Sequence, residues 1–173
     1  ISSVKALLLT HVHIDHCGRL PYLVASGYRG PIYLTHASAL LLPLVLQDAL
    51  KTGYQLPEQQ IQFMFDQITR LLQPCNYDEW LPLPVAVDGL IPQFRFQVAG
   101  HIMGSAYVEI KHQLADRWFK TVFSGDLGPP FTPLLPTPQS PSAADVLVLE
   151  STYGDRCHVG RRQRQKRLQQ IIL

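Results

Sequence analysis

Cysteine is scarce in this chain: three residues in 173, Cys17, Cys75 and Cys157, with no short pair among them. So sparse and odd a set argues against a disulfide framework and against a cysteine zinc knuckle, and a reducing cytoplasmic setting is the simplest expectation. An excess of one charge is lacking too. The formal net charge is only +2, so bulk electrostatics singles out no partner. No apolar run reaches the ~20 residues that a membrane span needs; the stretch 40–46 is short and broken by Pro43. The opening Ile1-Ser2-Ser3-Val4-Lys5 lacks the basic-then-apolar pattern of a secretory signal. No internal repeat is visible, which argues against a solenoid.

What remains is the composition of an ordinary globular domain, 46% hydrophobic and 16% charged. Residues 4–9 form an apolar run with the length of a buried strand, and 18–26 read as a short helix stopped by Gly27. A strand at 31–34 and helices at 37–51 and 57–72 follow. After Pro74, prolines cut the chain into short pieces. Residues 94–98 alternate apolar and polar as a half-buried strand does, and 106–110 and 118–123 are two more strands joined by a polar segment. A proline-rich loop at 129–142, a strand at 145–149 and a basic helical segment from about Gly160 complete a mixed α/β layered fold. The chain opens on a strand without Met and closes in mid-helix pattern, which reads as a piece of a longer protein.

The densest chemistry is His11-Val12-His13-Ile14-Asp15-His16. Imidazole and carboxylate are the usual non-thiolate zinc ligands. His11 and His13 are two apart, so on an extended segment they point the same way. A single histidine in a loop would be unremarkable. Three histidines and an aspartate within six positions, directly after an apolar strand, are hard to explain by solubility or packing. Distant partners stand at strand ends: His101 in Gly100-His101-Ile102-Met103-Gly104, and Asp126 in Gly125-Asp126-Leu127-Gly128. Each of these alone would be an ordinary turn residue, and only the combination makes them candidates.

These motifs resemble those of the metallo-β-lactamase superfamily, and Leu149-Glu150-Ser151-Thr152-Tyr153-Gly154 resembles the start of the β-CASP insertion in its RNA-processing ribonucleases. The His16-Cys17-Gly18-Arg19-Leu20-Pro21 continuation and Thr35-His36-Ala37 point to the same branch, that of the endonuclease subunit of the cleavage and polyadenylation specificity factor. The resemblance implies an αβ/βα sandwich, here without its N-terminal strands and its C-terminal part. Residues 1–150 would be a partial metallo-β-lactamase domain and 151–173 the start of the β-CASP domain. It also implies two zinc ions. His11, His13 and His101 would hold one, Asp15 and His16 the other, and Asp126 would bridge them. Glu150 matches the family's acidic residue beside the metals. The aspartate that precedes this region in the family and two histidines that follow the insertion have no counterpart here.

The function so implied is zinc-dependent hydrolysis of RNA phosphodiester bonds, with a hydroxide shared by the metals as nucleophile and Asp15 and Glu150 as catalytic residues. RNA is the expected partner, a membrane is not, and an oligomer of the complete protein is left open. The isolated chain is expected to be inactive. Two other readings compete: a small thioester or ester hydrolase on the same fold, and a non-catalytic RNA-processing scaffold. Glu150 and its Ser-Thr-Tyr-Gly continuation weigh against the first, and the intact ligand set weighs against the second. Arg161, Arg162, Arg164, Lys166 and Arg167 form a run that is more often a solvated helix face than a phosphate site. Cys17 reads as a small packed residue and His36 as a group behind the site, whereas His112 and His158 read as exposed.

Overall fold

The computed structural model describes residues 1, 3–53, 57–156 and 160–173, the side chains of 161 and 162 excepted. Cys157, His158 and the side chains of Arg161 and Arg162 therefore lie outside the described residues.

Two sheets face each other. The first is parallel, in the order β1 (Leu7–Leu8), β2 (Ile32–Thr35) and β3 (Leu72–Cys75). Between β1 and β2 run two short helices, α1 (Ile14–Cys17) and α2 (Leu20–Ala25). Between β2 and β3 run α3 (His36–Gly53) and α4 (Glu58–Leu71). Parallel neighbours require such crossovers. The second sheet runs β4 (Leu81–Pro82), β5 (Gln93–Val98), β6 (Ala106–Leu114), β7 (Arg117–Phe123) and β8 (Val146–Val148). It is antiparallel except for the last pair, β7 with β8. The helix α5 (Arg161–Ile172) ends the chain.

Strand alternation sorts the core into two layers. On β2, Ile32 and Leu34 pack with Leu42, Leu46 and Ile68 of the covering helices, whereas Tyr33 turns to the other face. There Tyr33 and Leu8 meet Phe94, Phe96 and Val108 of the second sheet. Ser38, Leu42, Leu46 and Leu50, four apart along α3, form its buried stripe. The layers are thus helices, parallel sheet, mixed sheet: the expected α/β sandwich, with its helical layer on the parallel sheet.

Two local expectations change. The strand at 4–9 shortens to Leu7 and Leu8, the two residues in register with β2. The helix expected at 18–26 is present as α2, and a separate short turn of helix, Ile14–Cys17, precedes it and ends at Gly18. The segment between β6 and β7 is no long connection. Both strands continue through it, and it closes at Ala115 and Asp116, with Ala115 at φ 52°. β3 is a strand that the sequence conceals, since Leu72-Gln73-Pro74-Cys75 continues the apolar pattern of α4 and carries a proline. At an outer position of the parallel sheet Pro74 leaves no central ladder bond unmade.

Candidate metal centre

The histidine motif falls where the chain leaves β1. Leu9 donates its backbone N–H to the Tyr33 carbonyl at 2.9 Å, which holds the chain extended as far as His11. His13 keeps an extended backbone (φ −63°, ψ 147°) and caps α1, whose first turn carries Asp15 and His16. His11 and His13 therefore project together from the extended stretch, and α1 folds His16 back over them, with its ring centroid 4.1 Å from that of His11. His101 comes from the turn before β6 and Asp126 from the turn after β7. A Cβ at Gly125 (φ 53°) would lie 2.8 Å from the Cβ of Thr10, so the bare glycine lets the Asp126 turn approach the histidine strand.

The ligand atoms converge. One potential ligand atom from each of His11, His13, His101 and Asp126 lies within 4.8 Å of all the others. His13 Nδ1 is 3.1 Å from His11 Nε2 and 3.1 Å from His101 Nε2. Asp126 Oδ2 is 3.7 Å from His11 Nε2 and 3.5 Å from His101 Nε2. Ligands about 2.0–2.1 Å from a tetrahedral metal stand about 3.3–3.4 Å apart, so the donor set fits such an ion. The other carboxylate oxygen, Asp126 Oδ1, is 3.2 Å from His16 Nε2, which is itself 3.4 Å from Asp15 Oδ2. All six residues of the motif set thus meet at one edge of the sandwich. Asp126 lies between a closed group of three histidines and the more open pair Asp15 and His16.

Electrostatics supports cation binding. His11 is fully buried, and its pKa is lowered from 6.5 to about 4, first by burial and then by His16. It therefore stays a neutral donor across the physiological range. Glu150, beyond β8, accepts a hydrogen bond from the Leu127 backbone N–H at 2.7 Å, and this bond lowers its pKa. Its own N–H donates to Ser124 Oγ at 2.9 Å. Glu150 is thus held, ionised, against the turn that carries Asp126.

Other residues fall differently. Cys17 is fully buried, and burial raises its thiol pKa to about 11, as suits a packed residue. His36 is exposed at the start of α3 and joins no contact of the site among the described residues. His112 is not exposed; it is half-buried against Phe119, with ring centroids 5.3 Å apart. Sequence reasoning missed Thr10, whose Oγ1 is 3.2 Å from His11 Nδ1, the typical place for a group that orients a metal-binding imidazole. Its position directly before the first histidine was the available signal.

The profile of the Metallo-beta-lactamase superfamily matches residues 1–160. The chain is 43% identical over 159 residues to ribonuclease TTHA0252 of Thermus thermophilus, covering 90% of this chain and 33% of that protein. It is 32% identical over 155 residues to an RNase J-like protein of Methanocaldococcus jannaschii, covering 88% of this chain and 32% of that one. It is 28% identical over 173 residues to cleavage and polyadenylation specificity factor 73 of Drosophila melanogaster, covering 98% and 24%. The chain therefore spans a third or less of the length of these relatives. With the profile match running through the histidine motif, His101, Asp126 and Glu150, this chain belongs to the metallo-β-lactamase superfamily.

Proposed function

We propose that this chain carries the metal centre of a zinc-dependent phosphodiester hydrolase acting on RNA, of the β-CASP ribonuclease group. The observation that carries the reading is the donor set of His11, His13, His101 and Asp126, spaced for one metal ion. Three relatives with ribonuclease or RNA-processing names support the substrate. Because those relatives are about three times as long or longer, the activity is assigned to a longer protein. In it, residues 1–150 belong to the metallo-β-lactamase domain and 151–173 begin the β-CASP domain. A cytoplasmic setting fits the sparse cysteines.

His11, His13 and His101 would hold one zinc ion, Asp15 and His16 a second, with Asp126 shared between them. Bound there, zinc supplies a hydroxide nucleophile at neutral pH and positive charge against the phosphoryl oxygens. The chain's own residues do the rest. Asp126 offers one oxygen to His11 and His101 and the other to His16, so a single carboxylate fixes the spacing of both halves. Asp15, with its side chain 75% exposed beside His16, is placed to orient water on the open side and accept its proton. Glu150 adds a fixed negative charge at the rim, able to align a protonated partner that donates to the leaving oxygen.

The test is cleavage of labelled single-stranded RNA by the complete protein with zinc. Asp15→Ala and Asp126→Ala are expected to abolish it. Hydrolysis of thioesters without RNA cleavage would overturn the assignment. Zinc binding without any hydrolysis would move it to a scaffold.

A further inference from the structure

We infer that Ser105 is a positioning residue for His101: its buried hydroxyl fixes the turn that aims the imidazole and so sets how tightly the site holds zinc. The inference rests on the metal reading above.

His101 has an unusual need for such support. A metal-binding histidine ordinarily donates its second ring nitrogen to a carbonyl or carboxylate, which fixes the ring. The His101 ring makes its polar contacts with His13 and Asp126, both through Nε2. Among the described residues nothing hydrogen-bonds its Nδ1. The ring otherwise packs edge-on against His11 and His13, themselves part of the donor set, so its placement depends on the backbone that carries it. By sequence that backbone is pliable, bounded by Gly100 at φ 66° and Gly104 at φ 82°.

Ser105 removes that freedom. Its Oγ accepts the backbone N–H of His101 at 2.9 Å and of Ile102 at 3.1 Å, the two amides that open the turn. Its carbonyl accepts the Tyr77 hydroxyl at 3.0 Å and the Ala99 N–H at 3.2 Å. One residue earlier, the Gly104 carbonyl accepts Thr35 Oγ1 at 2.7 Å and Ser38 Oγ at 3.0 Å, both from the β2–α3 junction. The hydroxyl-bearing residues Thr35, Ser38 and Ser105 are all buried, so water is poorly placed to take over a lost bond. The His101 turn, carried by the second sheet, is thus clamped to the first, the sheet that carries His11 and His13.

The experiment measures zinc affinity by competition with a chromophoric chelator for wild type, Ser105→Ala, Ser105→Thr, Thr35→Val and His101→Ala. Thermal unfolding in chelator and the visible spectrum of the cobalt-loaded protein are recorded alongside. Ser105→Ala is expected to bind zinc 10–100-fold more weakly and to change the cobalt spectrum. Ser105→Thr, which keeps the hydroxyl, is expected to stay close to wild type. A Ser105→Ala protein that unfolds earlier yet keeps wild-type zinc affinity and spectrum would overturn the inference, since the hydroxyl would then only support the fold. If Ser105→Ala does not fold, Thr35→Val decides: weaker zinc binding sustains the clamp and unchanged binding overturns it. Wild-type affinity in His101→Ala, or no zinc binding by wild type, would overturn the metal reading and the inference with it.

Discussion

Gly128 lies so close to Gly100 that a Cβ built on it would stand 1.8 Å from the Gly100 carbonyl oxygen and 2.1 Å from the carbonyl carbon. The Gly128 N–H also donates to the Ala99 carbonyl at 2.8 Å. The turn that carries Asp126 and the turn that carries His101 therefore touch backbone to backbone.

Gly128→Ala should separate these turns, because neither opposing atom belongs to a side chain that can swing away. Overpacking of this kind costs about 1–3 kcal/mol, more where nothing can yield. Urea unfolding should show a loss at or above that range, and zinc should bind more weakly. A variant as stable and as zinc-competent as wild type would mean that the two turns are free to move apart.

Acid should destabilise the metal-free chain through His11. Its pKa falls from 6.5 to about 4 on folding, chiefly through burial. The unfolded chain thus takes up a proton below about pH 6.5 that the folded chain refuses until about pH 4. The stability contributed by neutral His11 is complete above pH 6.5 and drains away as pH falls through that window. At about 1.4 kcal/mol per pKa unit it is on the order of 3 kcal/mol. Urea midpoints in chelator, taken from pH 7 to pH 4 for wild type and His11→Gln, measure it. Identical pH slopes for the two proteins would remove His11 as the source.

Glu109 is fully buried on β6, with Arg95 Nε at 2.5 Å and Lys120 Nζ at 3.1 Å from its carboxylate oxygens. It joins β5, β6 and β7 by charge on the face turned away from the core between the sheets. Removing one partner of a buried charge pair typically costs about 3–5 kcal/mol. Glu109→Ala should lose stability on that scale by denaturant titration, whereas exposed Asp155→Ala, whose Arg156 partner is also exposed, should lose almost none. Equal losses would show that the Glu109 network adds nothing beyond a surface pair.

RNA cleavage should divide by length. The 173-residue chain should bind zinc, yet cleave single-stranded RNA more than about tenfold more slowly than the complete protein, since loss of groups that support metal ligands typically costs 10–100-fold. Chelation should stop both. Single-turnover rates with a labelled RNA test this, and equal rates would place the whole catalytic machinery within these residues.

The site was more legible in the sequence than the strands around it. Ligand chemistry is local: His11, His13, Asp15 and His16 announce themselves within six positions, and glycines mark the turns of His101 and Asp126. Strand ends are settled elsewhere in the chain. β1 is two residues long because only Leu7 and Leu8 stand in register with β2, and Leu9 adds a last bond to Tyr33, although the apolar run around them is longer. β3 hid behind Pro74, because sequence alone does not reveal that its place in the sheet tolerates a missing donor. Thr10, Ser105 and Thr35 were invisible as supports of the site, since a hydroxyl gains that role only from the backbone brought beside it.

His13 and His101 are 88 positions apart in the chain, yet their ring nitrogens are 3.1 Å apart. A metal ion held between them would act as a cross-link closing a long loop. The unfolded chain loses most entropy when such long loops are tied, and the cost of closure rises only slowly with length. Ion uptake then becomes a reporter of folding order: His11, His13 and His16 can gather as soon as the first strand and helix form, but His101 and Asp126 arrive only when the second sheet docks. A stopped-flow refolding trace in the presence of zinc should accordingly show high-affinity capture in the slow, long-range phase, after the helical signal has appeared.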